Sequence, residues 1–233
     1  MIQSSDIIEY KKQGFDWEKY IQIQAEAIQD RIDKFSGKLY LEIWGKFLYD
    51  PHASRVLPGF YPDSKRRIFK KLAKNSDVIF CVNAKDIKKN RMLLSSWESY
   101  IDIAIKMIDE ITQKLWIIPY ISINRVTKKN IEYVQKFQKK LEKNKLKSYL
   151  RYEIDGYPED VDTVLSKTWY GTDEYIPCKK NLVLVVWAAS SSGKMSTCLG
   201  QVYQDYNISI ESGYAKYETF PVWNLHLEHP VNL

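Results

Sequence analysis

The chain has 233 residues, 45% of them hydrophobic and 27% charged, which supplies one sizeable core and excludes a disordered chain. No apolar run approaches the ~20 residues that cross a bilayer, so membrane insertion is not expected. The net charge of +6 is concentrated in residues 128–147, where eight Lys stand against two Glu.

Within that stretch Ile131, Val134, Phe137 and Leu141 recur at helical spacing and the lysines fill the positions between. This reads as the solvated face of a helix rather than a nucleic-acid surface, which needs basic groups gathered with base-reading residues among them. The three cysteines, Cys81, Cys178 and Cys198, are odd in number and not at metal-ligand spacing. Cys81 and Cys198 read as small buried hydrophobes, and reduced, cytoplasmic surroundings are expected. Met1–Asp6 lacks the basic-then-apolar pattern of a signal peptide.

Helical and extended patterns alternate along the chain. Apolar positions from Trp17 to Phe35 step by three or four and predict a long amphipathic helix, ended by Gly37. Leu39–Trp44 reads as a strand. Ser64–Lys74 reads as a helix capped by Asp63 or Ser64. Val78–Val82 is an apolar strand, and Tyr100–Leu115 a helix. Trp116–Ile123 is extended, with Pro119 suggesting an edge or a bulge because it cannot donate to a ladder. After the lysine-rich helix come a strand at Tyr149–Ile154, a short helix at Glu159–Ser166 and the most apolar strand, Leu182–Trp187. A helix through Tyr206 and a strand near Ile208–Tyr217 follow.

This alternation predicts a three-layer α/β fold with a mostly parallel sheet of about six strands and helices on both faces. Ligands of such sheets bind at the carboxyl ends of the strands, which directs attention to Gly45–Phe60, Asn83–Arg91 and Ala188–Thr197.

The last of these carries a mechanism. In Val183–Thr197 a buried strand enters a loop of small residues, Ser190, Ser191 and Ser192, then Gly193-Lys194, then a helix. Backbone N–H groups at such a helix start, with its dipole behind them, favour an anion, and Lys194 reaches toward phosphates beyond. The match to a phosphate loop is partial. Ala188 stands where the pattern has Gly, and Met195 stands where a hydroxyl would hold Mg²⁺, the hydroxyls coming instead at Ser196 and Thr197. The serines disfavour the positive φ that glycine allows. The competing reading is an ordinary serine-capped turn. In Asp50–Arg55, His52 and Arg55 are candidates to grip a phosphate or carboxylate, against a role in holding the loop. Asp160 and Asp162 stand at the start of the short helix, and N-terminal capping accounts for at least one of them. His226 and His229 are bracketed by prolines and lack a third ligand, so zinc is not expected. Cys198 lies a turn inside its helix with no histidine beside it, so it is not expected to be a nucleophile.

Several runs together resemble the bacterial domain-of-unknown-function family 1846, also called uncharacterised protein family 0371. They are Gly14–Tyr20, Gly37–Glu42 with Gly45-Lys46, His52–Phe60, Gly156–Asp162, Ser192–Leu199, and Gly213–Leu225 with His229–Leu233. The resemblance implies an N-terminal extension over residues 1–14 and an α/β domain over 15–233 akin to phosphate-loop nucleotide hydrolases. Family members are about twice as long, so the chain is expected to be truncated or a fragment. The family loop is richer in glycine than Ala189–Lys194.

Two functional readings follow. In the first, the chain is a phosphate- or nucleotide-binding part of an enzyme that transfers or hydrolyses a phosphoryl or nucleotide group, its ligand a small phosphorylated molecule. The phosphate site is then Ser190, Ser191, Ser192, Gly193, Lys194, Ser196 and Thr197, supported by His52 and Arg55. In the second, the loop has decayed and the chain is a non-catalytic module that self-associates through its aromatic-rich end, Tyr214 to Trp223.

Overall fold

The computed structural model describes residues 16–45, 47–49, 61–93, 97–154, 159–166, 169–187, 189 and 191–217. The sequence-predicted residues His52, Arg55, Ser190, His226 and His229 lie outside them.

Helix α1 (Trp17–Ile32) starts where the Asp16 carboxylate accepts the Lys19 N–H at 3.0 Å. Strand β1 (Lys38–Ile43) follows, then helix α2 (Ser64–Leu72) and strand β2 (Ser76–Asn83). The Asp63 side chain does not cap α2; it pairs with Arg66 and Arg67 inside the first turn. A six-residue helix α3 (Ala84–Lys89) leads to a small antiparallel hairpin of β3 (Met92–Leu93) and β4 (Glu98–Ser99). Neither was legible in the sequence, because both are too short to show a period. Helix α4 (Tyr100–Leu115) is capped by Ser99. Strand β5 (Tyr120–Val126), helix α5 (Ile131–Lys143), strand β6 (Ser148–Tyr152), the single turn α6 (Val161–Val164), strand β7 (Leu182–Trp187), helix α7 (Lys194–Asn207) and strand β8 (Ser212–Tyr217) complete the order. Of the two candidates at this helix start, Asp160 is the cap, accepting the Thr163 N–H at 3.0 Å.

Six strands form one parallel sheet in the order β6-β5-β2-β7-β1-β8. From β1 through β2 and β5 to β6 the chain moves steadily toward one edge. It then returns to insert β7 between β2 and β1, and β8 continues to the other edge. With right-handed crossovers, that reversal changes the face on which the connections lie. Packing agrees. Leu39, Leu41, Ile43, Phe80, Val82, Ile121, Ile123, Leu184 and Val186 pack with α1, α2, α4 and α5, while Tyr40, Ile79, Cys81, Val183 and Val185 pack with Cys198 and Val202 of α7. The architecture is three-layer α/β, with the β2/β7 reversal at the centre of the sheet.

Two expectations about β5 change. It is interior, between β6 and β2, and Pro119 precedes it and so withholds no ladder hydrogen bond. A bulge does occur, but at its far end. Ile123 pairs with Leu150 and Val126 with Tyr152, three residues of β5 against two of β6.

Candidate functional site

The reversal places the loop after β7 beside the carboxyl ends of β2 and β5. Asn83 is the last residue of β2, and Asn124 lies two residues before the end of β5. Asn83 Nδ2 donates to the Ser191 carbonyl at 2.9 Å, and Asn124 Nδ2 donates to the Ser192 carbonyl at 2.8 Å. In a trans peptide the C=O and the following N–H point oppositely. Anchoring these two carbonyls therefore turns the N–H groups of Ser192 and Gly193 away from the asparagines.

Gly193 is the N-cap of α7 and takes a left-handed φ of +85°. Ser191 is also left-handed, at φ +59°, a conformation its Cβ makes costly by about 1–2 kcal/mol. One of the serines thus does what a glycine does in richer loops, held there by Asn83. The amides of residues 191–196 make no hydrogen bond to an acceptor on a described residue, and no side chain caps the helix. Ser192 Oγ is buried without a partner among the described residues. A hydroxyl and a row of amides without partners among the described residues thus stand at the positive end of a 14-residue helix, an arrangement whose chemistry favours negative charge.

The loop stands on a buried polar pillar. Thr197 Oγ1 lies 3.0 Å from both Asn124 Oδ1 and the Gly193 carbonyl, 3.3 Å from Ser122 Oγ and 3.5 Å from Cys81 Sγ. Thr197 is fully buried, and its hydroxyl is spent holding the loop, so it supports the site from beneath. Ser191, Ser192, Gly193, Lys194, Met195 and Ser196 line one open cleft of about 440 Å³ with Asn124, Arg125, Arg151, Tyr152, Glu153, Ile154 and Glu42.

Lys194 is held across the cleft. Its ammonium lies 3.2 Å from Glu42 Oε1 and sits over the Trp187 ring at 5.3 Å, while Tyr214 donates to Glu42 Oε2 at 2.8 Å. On the β6 side, Arg151 is buried beneath α7, donating to Asp173 at 3.1 Å and to Gln201. Its Nε has no partner among the described residues. Burial pushes the Asp173 carboxyl up, against the pull of Arg151. Glu153 accepts Lys85 Nζ at 2.6 Å and Arg125 Nη2 at 2.9 Å. Burial alone would raise its pKa, but the two cations outweigh it and hold the carboxyl below its ordinary value.

Asn83 entered the sequence analysis only as the first residue of the loop Asn83–Arg91, and Asn124, Arg125, Arg151 and Glu153 were not singled out there. A signal was present for Asn83 and Asn124, since each is a polar residue directly after an apolar run, near the strand end where ligands bind. Cys81 and Cys198 are buried, as expected, and Cys178 is buried as well; burial pushes Cys81 up to about 11 and Cys198 well above its ordinary value. Among the described residues no helix is long and apolar enough to cross a membrane.

The family model "Domain of unknown function DUF1846, N-terminal" matches residues 13–233. The chain is 42% identical over 223 residues to a UPF0371 protein of Streptococcus uberis and 41% identical over 223 residues to one of Streptococcus sanguinis. A UPF0371 protein of Streptococcus pneumoniae matches at 41% as well. Each alignment covers 96% of this chain but 45% of the relative, so the chain spans about half the length of these curated relatives. On the family match and these identities, the chain belongs to the DUF1846 (UPF0371) family.

Proposed function

We propose that the cleft at the start of α7 binds the phosphate of a small phosphorylated ligand, a nucleotide included, in the manner of a phosphate loop. The observation that carries this reading is that, among the described residues, the amides at 191–196 and the adjoining Ser192 hydroxyl have no hydrogen-bond partner. A bound phosphate would accept from these groups, and its charge would draw Lys194 away from Glu42. In the longer relatives such a site would serve phosphoryl or nucleotide transfer or hydrolysis, with Lys194 stabilising charge. Mg²⁺ would need a ligand other than Met195.

Calorimetric titration with phosphate, AMP, ADP, ATP and GTP tests the reading. The chain should bind at least one of them, and Lys194→Met should weaken binding about tenfold or more, the worth of a charge-assisted contact. Identical titrations of both proteins would remove the proposal.

The Lys194–Glu42 pair favours one second reading, since it leaves the lysine's charge already neutralised. On this reading the loop is a structural remnant and the chain acts as a non-catalytic interaction module. Sedimentation showing a stable homo-oligomer, with no heat from any phosphate, would support it.

A further inference from the structure

The cleft continues past the loop to the ends of β5 and β6, and its far wall carries a cation that the strand geometry does not place there by default. Along β5, Ile121 and Ile123 face the α4/α5 layer while Ser122 and Asn124 face α7. Regular alternation would send Arg125 into the α4/α5 layer and Val126 toward α7. Instead Val126 joins the α4/α5 core, and Arg125 is the extra residue of the bulge, exposed and left-handed at φ +62°. Asn130, itself buried, fixes this turn by donating to the Arg125 carbonyl at 3.0 Å and accepting the Thr127 N–H at 2.8 Å. The result sets Arg125 in the wall of the same cleft as the α7 start.

The charge at this wall is unbalanced. Lys85 and Arg125 share the single carboxylate of Glu153. Arg125 uses Nε and Nη2 for that contact, and its Nη1 makes no hydrogen bond to a described residue. Lys85 is placed by Asn83, whose Oδ1 accepts the Lys85 N–H at 2.9 Å while its Nδ2 holds the loop. One asparagine thus links the anion loop to the second cationic group.

We infer that Arg125 forms a second anionic subsite, so that the ligand class is a compound carrying two linked phosphate groups rather than one. This rests on the proposed phosphate site at 191–196. In it, the first phosphate takes the amides and Lys194, and the second takes the Nη1 edge of the Arg125 guanidinium. Lys85 neutralises Glu153 so that the guanidinium keeps a net charge to offer.

The test compares inorganic phosphate with pyrophosphate by calorimetry on the 233-residue chain, using Arg125→Asn, which removes the charge but tolerates the left-handed backbone, and Lys85→Met. The wild type should prefer pyrophosphate. Arg125→Asn should lower the ratio of pyrophosphate to phosphate affinity about tenfold. Lys85→Met should lower it about threefold, the worth of a partly exposed ion pair, because Glu153 then claims Arg125 for itself. Circular dichroism of both variants should match the wild type. Binding of both anions with a ratio unchanged in a folded Arg125→Asn variant overturns the second subsite and leaves the phosphate site standing. Binding of neither anion by the wild type overturns both.

Discussion

Asn124 meets the Ser192–Gly193 peptide in two ways: its side-chain amide donates to the Ser192 carbonyl at 2.8 Å, and its Cβ lies 2.9 Å from where a Cβ on residue 193 would stand. The glycine is therefore required twice over, for the left-handed φ of +85° and for the close approach of the strand end beneath it. Gly193→Ala should lower stability by about 1–3 kcal/mol in urea unfolding. It should also abolish measurable phosphate binding, because relief of the contact displaces the amides. An alanine variant that binds as the wild type does would show that the loop geometry is not what recognises the anion.

A second glycine is constrained by an arginine. A Cβ on Gly200, in the middle of α7, would stand well inside contact distance of Arg151 Nη1 and 3.2 Å from the Tyr170 ring. Elsewhere in a helix Gly→Ala stabilises, but here it overpacks a buried ion pair. Gly200→Ala should cost about 1–3 kcal/mol and lower the melting temperature by several degrees. A rise in melting temperature would mean that Arg151 can retreat without cost.

The far end of α7 is fastened by charge. Lys38 Nζ lies 2.9 Å from Asp205 Oδ1, and both side chains are almost wholly buried. Tyr40 and Tyr175 each donate to the same carboxylate at 2.7 Å. Lys38→Met leaves that carboxylate without its counter-ion and should destabilise the fold by about 3–5 kcal/mol.

The same pair sets an alkaline limit. Burial alone would lower the Lys38 pKa, but the contacts to Asp205 and Tyr175 outweigh it and hold it above 10.5. A raised folded value contributes stability that is complete below pH 10.5 and is lost as pH rises through that folded value. Tyr40 and Tyr175, also raised, act in the same direction. Chemical denaturation from pH 8 upward should therefore show a steeper loss for the wild type than for Lys38→Met. Parallel curves would assign the alkaline loss to the tyrosines alone.

The thiols give a simple readout of packing. Cys81, Cys178 and Cys198 are buried and burial raises all three, Cys81 to about 11. Native protein at pH 8 should react slowly with a thiol reagent, on the timescale of opening rather than of thiolate chemistry, and should yield three equivalents once unfolded. A fast single equivalent in the native state would expose one of them as accessible.

Much of this architecture is written in local patterns. The apolar run Leu182–Trp187, the helical periods of α4 and α5 and the small-residue loop before Lys194 depend on neighbours a few positions away, so they survive being read one window at a time. The family resemblance likewise rests on runs of contiguous residues. The site's remaining parts are long-range. Asn83, Asn124 and Arg125 matter because β7 is inserted between β2 and β1, and that pairing order has no trace in any single segment. The left-handed Ser191 is held by a hydrogen bond from a residue 108 positions away, and the bulge that turns Arg125 into the cleft appears only when β5 is laid against β6. Local propensity sets what each stretch becomes, while the contacts that orient amides and guanidinium groups toward a shared cleft arise from strand order and register, quantities that belong to the folded chain as a whole.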